Sequence, residues 1–261
     1  MVFPKGTANR VMTASRKKRL DILVLERGLA KSRETARTMI MAGNILVNDQ
    51  PMDKPGTQVP ENVIIVSRKP DMPYVSRGGL KLSHAIAELK LDVSGFLCLD
   101  AGASTGGFTD CLLQAGAAHV YAVDVGYGQL DWKLRQDERV TVIERTNIRY
   151  VTREILPVSF DLVTIDVSFI SLKIVVPVVE PFLKPAGQIL ALIKPQFEVG
   201  RDQVGKGGVV RDARLHEQVI AELTSSFEKF SLVSKTVLPS PVLGPKGNRE
   251  FLIHLVRASA K

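Results

Sequence analysis

Three aspartates and a lysine close apolar runs that read as strands, and this repeated placement is the first chemical signal in the chain. Asp100 follows a strand candidate at residues 96–99, Asp124 one at 119–123, Asp166 one at 162–165 and Lys194 one at 188–193. Ligands of open parallel sheets bind outside the carboxyl ends of the strands, so these four side chains would share one edge. Carboxylates there can accept hydroxyl protons in hydrogen bonds. A lysine can take a proton only in its neutral form, which nearby positive charge and partial burial favour and carboxylates oppose. Asp100-Ala101-Gly102-Ala103-Ser104-Thr105-Gly106-Gly107-Phe108 then forms a glycine-rich turn into a helix candidate at 108–113. Its glycines allow a ligand close to the backbone, and the helix start offers free N–H groups. Two further charged residues, Lys81 and Glu250, stand before the first strand and at the entry to the last.

The elements that must position these residues follow from periodicity. Beyond residue 96, strands alternate with helices. Further strand candidates lie at 140–143 and 251–256, the latter paired with a segment around 232–238. This alternation predicts an α/β fold, a Rossmann-like sheet that is mostly parallel with helices on both faces. Ahead of it, residues 16–69 read as a small α+β unit. Leu20, Leu23 and Val24 are spaced for a helix that stops at Gly28. A second helix at 33–42 has Ser32 as its cap, Ala36, Met39 and Ile40 as its apolar stripe, and Gly43 as its stop. Short strands are expected at 45–47 and 63–66, with a turn at Asn48-Asp49-Gln50-Pro51. Residues 1–15 read as a loose tail, 70–75, with two prolines, as a linker, and 76–261 as the larger domain.

Charge separates the two parts. The chain carries a net +8, and residues 1–75 hold 13 Lys/Arg against 7 Asp/Glu while the remainder is nearly balanced. A small basic segment attached to a near-neutral one suggests a polyanion-binding module. Arg16, Lys17, Lys18 and Arg19 form one cluster, and Arg33 and Arg37 share a helix face, so the six could follow a phosphate backbone. No apolar run approaches the ~20 residues of a membrane-spanning helix, and the first residues lack the apolar core of a signal peptide. Cys98 and Cys111 read as buried reduced thiols, which suits a cytoplasmic protein. The scattered histidines lack metal-ligand spacing, so no metal is expected.

Three cofactors compete for the turn. NAD prefers G-x-G-x-x-G, but here Ser104 stands where the middle glycine lets the pyrophosphate approach. ATP would need a P-loop; the near-miss from Gly200 to Gly207 has Gly207 in place of the hydroxyl that holds magnesium. The turn fits D-x-G-x-x-x-G, which Rossmann-type methyltransferases use to bind S-adenosylmethionine, through Asp100, Gly102 and Gly106. Asp124 can accept both ribose hydroxyls of an adenosine, a role that NAD and S-adenosylmethionine share.

Longer words carry a resemblance. Arg19-Leu20-Asp21, Gly28-Leu29-Ala30-Lys31-Ser32-Arg33 and Ala42-Gly43-Asn44-Ile45-Leu46-Val47-Asn48 resemble an S4 domain, a small RNA-binding module. Ser76-Arg77-Gly78-Gly79-Leu80-Lys81-Leu82, Asp166-Val167-Ser168-Phe169-Ile170-Ser171, Lys194-Pro195-Gln196-Phe197-Glu198 and Gly247-Asn248-Arg249-Glu250-Phe251 resemble the TlyA family of two-domain RNA methyltransferases. The likeness covers about residues 16–256. It implies S-adenosylmethionine as cofactor, held by Asp100, Gly102, Ser104, Gly106, Gly107, Asp124, Val125, Asn147 and Asp166. It also implies a Lys81, Asp166, Lys194, Glu250 tetrad with Lys194 as general base, and the 2′-hydroxyl of cytidine in ribosomal RNA, or in a ribosomal subunit, as target. The end of the chain at Lys261, soon after the last strand, points toward members that modify only the large subunit. Phe169 and Phe197 read as core more readily than as stacking rings. Three other readings stay open: an RNA-binding protein without activity, an NAD enzyme, and a membrane-active haemolysin, a label used in this family. Calorimetry with S-adenosylmethionine against NAD, and a lysis assay on liposomes, separate them.

Overall fold

The structure is a computed structural model that describes residues 16–67 and 72–258. The expected tail at 1–15 and residues 70 and 71 of the expected linker lie outside the described residues. The chain divides into two compact units, 1–71 and 72–261.

In the small unit, β1 (Lys17–Arg19) runs directly into α1 (Leu20–Glu26), followed by α2 (Arg33–Met41), β2 (Ile45–Val47), β3 (Gln50–Met52), β4 (Gln58–Pro60) and β5 (Ile65–Ser67). Ser32 caps α2 as expected, its hydroxyl accepting from Thr35 N at 3.1 Å. β1 pairs antiparallel with β4, and β3-β2-β5 forms a second antiparallel sheet. Leu20, Val24, Ala36, Ile40 and Ile45 are fully buried between them. The last strand lies two residues beyond its expected start, because Val63 belongs to the preceding turn and donates to Pro60 O.

The larger unit is a seven-stranded sheet in the order β11-β12-β10-β9-β6-β7-β8. Its elements are α3 (Gly78–Glu88), β6 (Leu97–Ala101), α4 (Gly107–Gln114), β7 (His119–Val123), α5 (Trp132–Arg135), β8 (Val140–Ile143), β9 (Phe160–Ile165), α6 (Leu172–Val179), β10 (Leu183–Ile193), α7 (Ala213–Glu228), β11 (Leu232–Pro239) and β12 (Phe251–Arg257). β10, β9, β6, β7 and β8 are mutually parallel, and β12 runs antiparallel between β10 and β11. One face packs Leu82, Ala85 and Leu112 from α3 and α4 over Cys98 and Leu190. The other packs Leu172, Val176, Leu223 and Phe227 from α6 and α7 over Leu99 and Ile189. Sheet direction from the chain start reverses between β6 and β9, and such a switch point opens a crevice at the carboxyl edge. Tyr74 and Val75, expected in the linker, instead belong to this unit: both pack on its core, and Val75 N donates to Asp110 at 2.8 Å. No described helix is long and apolar enough to cross a membrane, and no cluster of metal-ligating side chains occurs among the described residues.

Candidate active site

The switch point is built by backbone proximity. Gly102, at φ +88°, lies so close to the end of β9 that an added Cβ would meet Asp166 O at 2.6 Å, while Asp166 N donates to Ala101 O at 2.9 Å. Only glycine adopts that conformation with so little room. A groove of about 500 Å³ opens there, lined by Gly102, Ser104, Asp124, Val125, Asn147 and Asp166 among others. The Asp124 carboxylate accepts from Ser104 N at 2.8 Å and Gly126 N at 2.6 Å, one bond to each oxygen. Each carboxylate oxygen can accept more than one bond, so both retain capacity for a ribose diol. Val125 is exposed in the groove wall. Asn147 Oδ1 already accepts from Arg149 N at 3.1 Å.

Asp100 corrects the expectation drawn from the strand ends. It is fully buried and absent from the groove wall. Oδ2 accepts from Thr109 N (2.9 Å) and Oγ1 (2.7 Å), and Oδ1 from Thr164 Oγ1 at 3.2 Å. Burial pushes this carboxyl up to about 7 despite those bonds. Asp100 anchors the turn to α4 and β9 rather than touching a ligand. Gly106 supplies the left-handed cap of α4, and Gly107 is buried against Ser76 and Gly79, so both shape the turn.

Beside the groove, a cleft of about 320 Å³ shares its Gly102, Ser104, Asp166 and Ser168 wall and adds Lys81 and Lys194. Lys194 Nζ lies 2.6 Å from Asp166 Oδ1 and 3.0 Å from Ser168 Oγ. Lys81 Nζ donates to Glu250 Oε2 at 2.5 Å. Glu250 lies under the cleft, only 2 % exposed, and rests so closely on Gly244 that a side chain there would strike its Oε1. Strands and α3 thus bring the two lysines and Asp166 to one cavity, with Glu250 backing Lys81. Lys81 projects from α3, which the sequence reading did not foresee.

Ser168, Gln196 and Glu198 were missed as site residues although they sit inside quoted words. Glu198 accepts from Ser171 Oγ at 2.6 Å and Leu172 N at 2.8 Å, tying the loop after β10 to the start of α6; burial raises its carboxyl. Phe169 is not core. It is 90 % exposed, turned outward by a left-handed backbone (φ +63°), with its ring 4.9 Å from that of Phe197. In the small unit, Lys18 pairs with Glu26 at 2.6 Å, and Arg19 and Arg33 both pair with buried Asp21 at 3.0 and 3.1 Å. Arg16, Lys17 and Arg37 are exposed.

Comparison with known proteins agrees with this geometry. The family description "FtsJ-like methyltransferase" matches residues 74–257 and "S4 domain" matches 18–65. The fold and groove define an S-adenosylmethionine-dependent, FtsJ-like methyltransferase that carries an S4 domain. The 16S/23S rRNA (cytidine-2′-O)-methyltransferase TlyA of Mycobacterium tuberculosis is 45% identical over 92% of this chain and 90% of its own. Hemolysin A of Brachyspira hyodysenteriae is 40% identical over 91% of this chain and 99% of its own. A solved structure provisionally described as a hemolysin of Streptococcus thermophilus is 43% identical, with a TM-score of 0.73 over 95% of this chain and 90% of its own. The chain belongs to the TlyA family.

Proposed function

We propose that this protein methylates the 2′-hydroxyl of a cytidine in ribosomal RNA, with Lys194 as general base. The observation that carries the reading is the Asp166–Lys194 pair, set where the groove and the cleft share a wall. The groove's donor set fits S-adenosylmethionine. Asp124 would hold the ribose hydroxyls, Val125 and Asn147 would border the adenine, and Gly102 and Ser104 would bring backbone close to the remainder. When bound, that cofactor supplies a methyl group already activated by a positively charged sulfur.

The chain's own task is to place and deprotonate the nucleophile. A ribose hydroxyl in the cleft meets Lys194 Nζ, which Asp166 and Ser168 hold in one position. The hydroxyl proton would pass to the neutral form of that amine as the oxygen attacks the activated methyl group and the methyl–sulfur bond breaks. Lys81, steadied by Glu250, supplies a second amine in the same cleft to orient the hydroxyl. Fixing the reacting groups in this way can lower the barrier by several kcal/mol, ~7–11 at most. The S4 domain, through Arg16, Lys17 and Arg37, would grip the phosphate backbone. Such a substrate puts the enzyme in the cytoplasm, with ribosomes.

Mapping of 2′-O-methyl groups on rRNA from cells with and without the protein tests the reading. A cytidine methylated only when the protein is present supports it, and identical maps overturn it. Haemolysis is the second reading, favoured only by the names of relatives. Lysis of liposomes by the purified protein would be needed to sustain it.

A further inference from the structure

The small unit keeps a charge where stability alone gives little reason for one. Asp21 has no exposed surface and lies on α1 beside the core residues Leu20, Leu23 and Val24. Its Oδ1 accepts from Arg19 Nε at 3.0 Å, and its Oδ2 from Arg19 Nη2 at 3.0 Å and Arg33 Nε at 3.1 Å. The Arg19 guanidinium holds the carboxyl below its ordinary range, so it stays charged at neutral pH. Burying charges is costly, and replacing a buried ion set by apolar side chains often stabilises a fold. A retained set therefore directs attention to what it orients.

The guanidiniums of this unit are committed to different degrees. Arg27 gives its two terminal nitrogens to Val63 O at 2.6 Å and Glu61 O at 2.7 Å. Arg19 gives one whole edge to Asp21, and its Nη1 lies against the turn at Gly56, 3.2 Å from where a Cβ would stand. Arg33 gives Asp21 only its Nε. Its Nη1 and Nη2 make no hydrogen bond among the described residues, and its side chain is 54 % exposed. One carboxylate cancels one of the two arginine charges, and the geometry leaves the other on Arg33. With Nε held, the outer edge of this planar group has a fixed direction. Exposed Arg37 stands one turn further along the same face of α2.

We propose that Asp21 is a positioning residue for RNA binding: it aims the Arg33 guanidinium so that Nη1 and Nη2 donate two parallel hydrogen bonds to one backbone phosphate. The inference rests on the reading of the small unit as the part that grips ribosomal RNA. A fork fixed in advance loses less rotamer freedom on binding than a free arginine does. The buried negative charge thus strengthens the hold on a polyanion. Its sign alone dictates the opposite, because removing a carboxylate near phosphates should tighten binding.

The test measures binding of large-subunit ribosomal RNA, over a series of salt concentrations, by the full-length parent, Asp21→Asn, Arg33→Ala and the double variant. Thermal unfolding monitors the fold. Asp21→Asn keeps the shape and makes the protein more positive. It should nevertheless weaken binding about threefold to tenfold, the worth of one hydrogen bond, and lower the slope of log K against log salt. In the Arg33→Ala background the same substitution should weaken nothing further, because Asp21 acts through Arg33. A merely structural carboxylate would weaken binding in both backgrounds alike. Binding by Asp21→Asn as tight as the parent's or tighter overturns the inference, and so does an equal loss in the two backgrounds; in either case RNA binding by the protein stands. Should Asp21→Asn not fold, Arg33→Lys decides. It keeps the charge and lacks the edge that Asp21 aims, so a loss of about threefold to tenfold supports the inference and parent-like binding overturns it. A parent protein that does not bind the RNA overturns the reading of the small unit and this inference with it.

Discussion

The charged residues singled out in the two units are paired over very different distances along the chain. In the small unit, residues close in sequence neutralise one another: Lys18 reaches Glu26, and Arg19 and Arg33 converge on Asp21. In the larger unit, residues as far apart as Lys81 and Glu250 meet, separated by 169 positions, and their lysines face a cavity. A count of basic residues therefore overstates the charge free to meet a polyanion. Charged residues at strand ends are a better guide, because a parallel sheet brings those ends together whatever their spacing in the chain.

The largest effect expected is on the cavity side of that contrast. Lys194→Ala should lower single-turnover methylation about a hundredfold to ten-thousandfold, the usual contribution of a general base, while calorimetry shows cofactor binding retained. Near-normal turnover would put Lys194 in the same class as the locally neutralised cations. Asp124→Ala should weaken S-adenosylhomocysteine binding about tenfold to a hundredfold, as for lost hydrogen bonds to a charged group; an unchanged affinity would place Asp124 with Asp100 as scaffold. In the small unit, Arg37→Ala should reduce the slope of log K against log salt for rRNA binding by about one. Lys18→Ala, whose amine already has Glu26, should reduce it by less, and equal slopes would erase the distinction. The smallest effect concerns Asp100. Its carboxyl ordinarily titrates near ~3.9 and is pushed up to about 7 by burial. Between those values the folded chain holds a proton that the unfolded chain has released, so this group makes stability fall as pH rises through that window. Asp100→Asn should remove its part of the slope, narrowing the difference in Tm between about pH 5 and pH 7 by a few degrees.

Much of this arrangement was legible before any coordinates. The parallel strands stand out because they are buried on both faces and read as unbroken apolar runs, which is why the segments ending at Asp100, Asp124, Asp166 and Lys194 were found. β1, β3 and β4 were not; each has three residues, and they carry Lys, Arg, Gln or Pro where propensity says little. Helix α3 begins with Gly78 and Gly79 and has no side-chain cap, so the usual start signal is absent, although Leu82, Ala85 and Leu89 are spaced for a buried face. Asp100 and Asp124 looked equivalent because both follow strands. Their difference depends on Thr109 and Thr164 closing around one carboxylate and leaving the other on the groove wall, and no spacing rule reports that. Phe169 was misjudged for a related reason: hydrophobicity suggests burial, but the turn after β9 puts this residue in a left-handed conformation that faces it outward.

Glu198 has a consequence for how the site can move. One carboxylate joins the segment behind β9, which borders the groove, to the segment behind β10, which borders an apolar cavity of about 370 Å³ beside Lys194. The two entrances therefore hang from a common joint. A displacement of either segment must carry the other with it or break the bonds at Glu198.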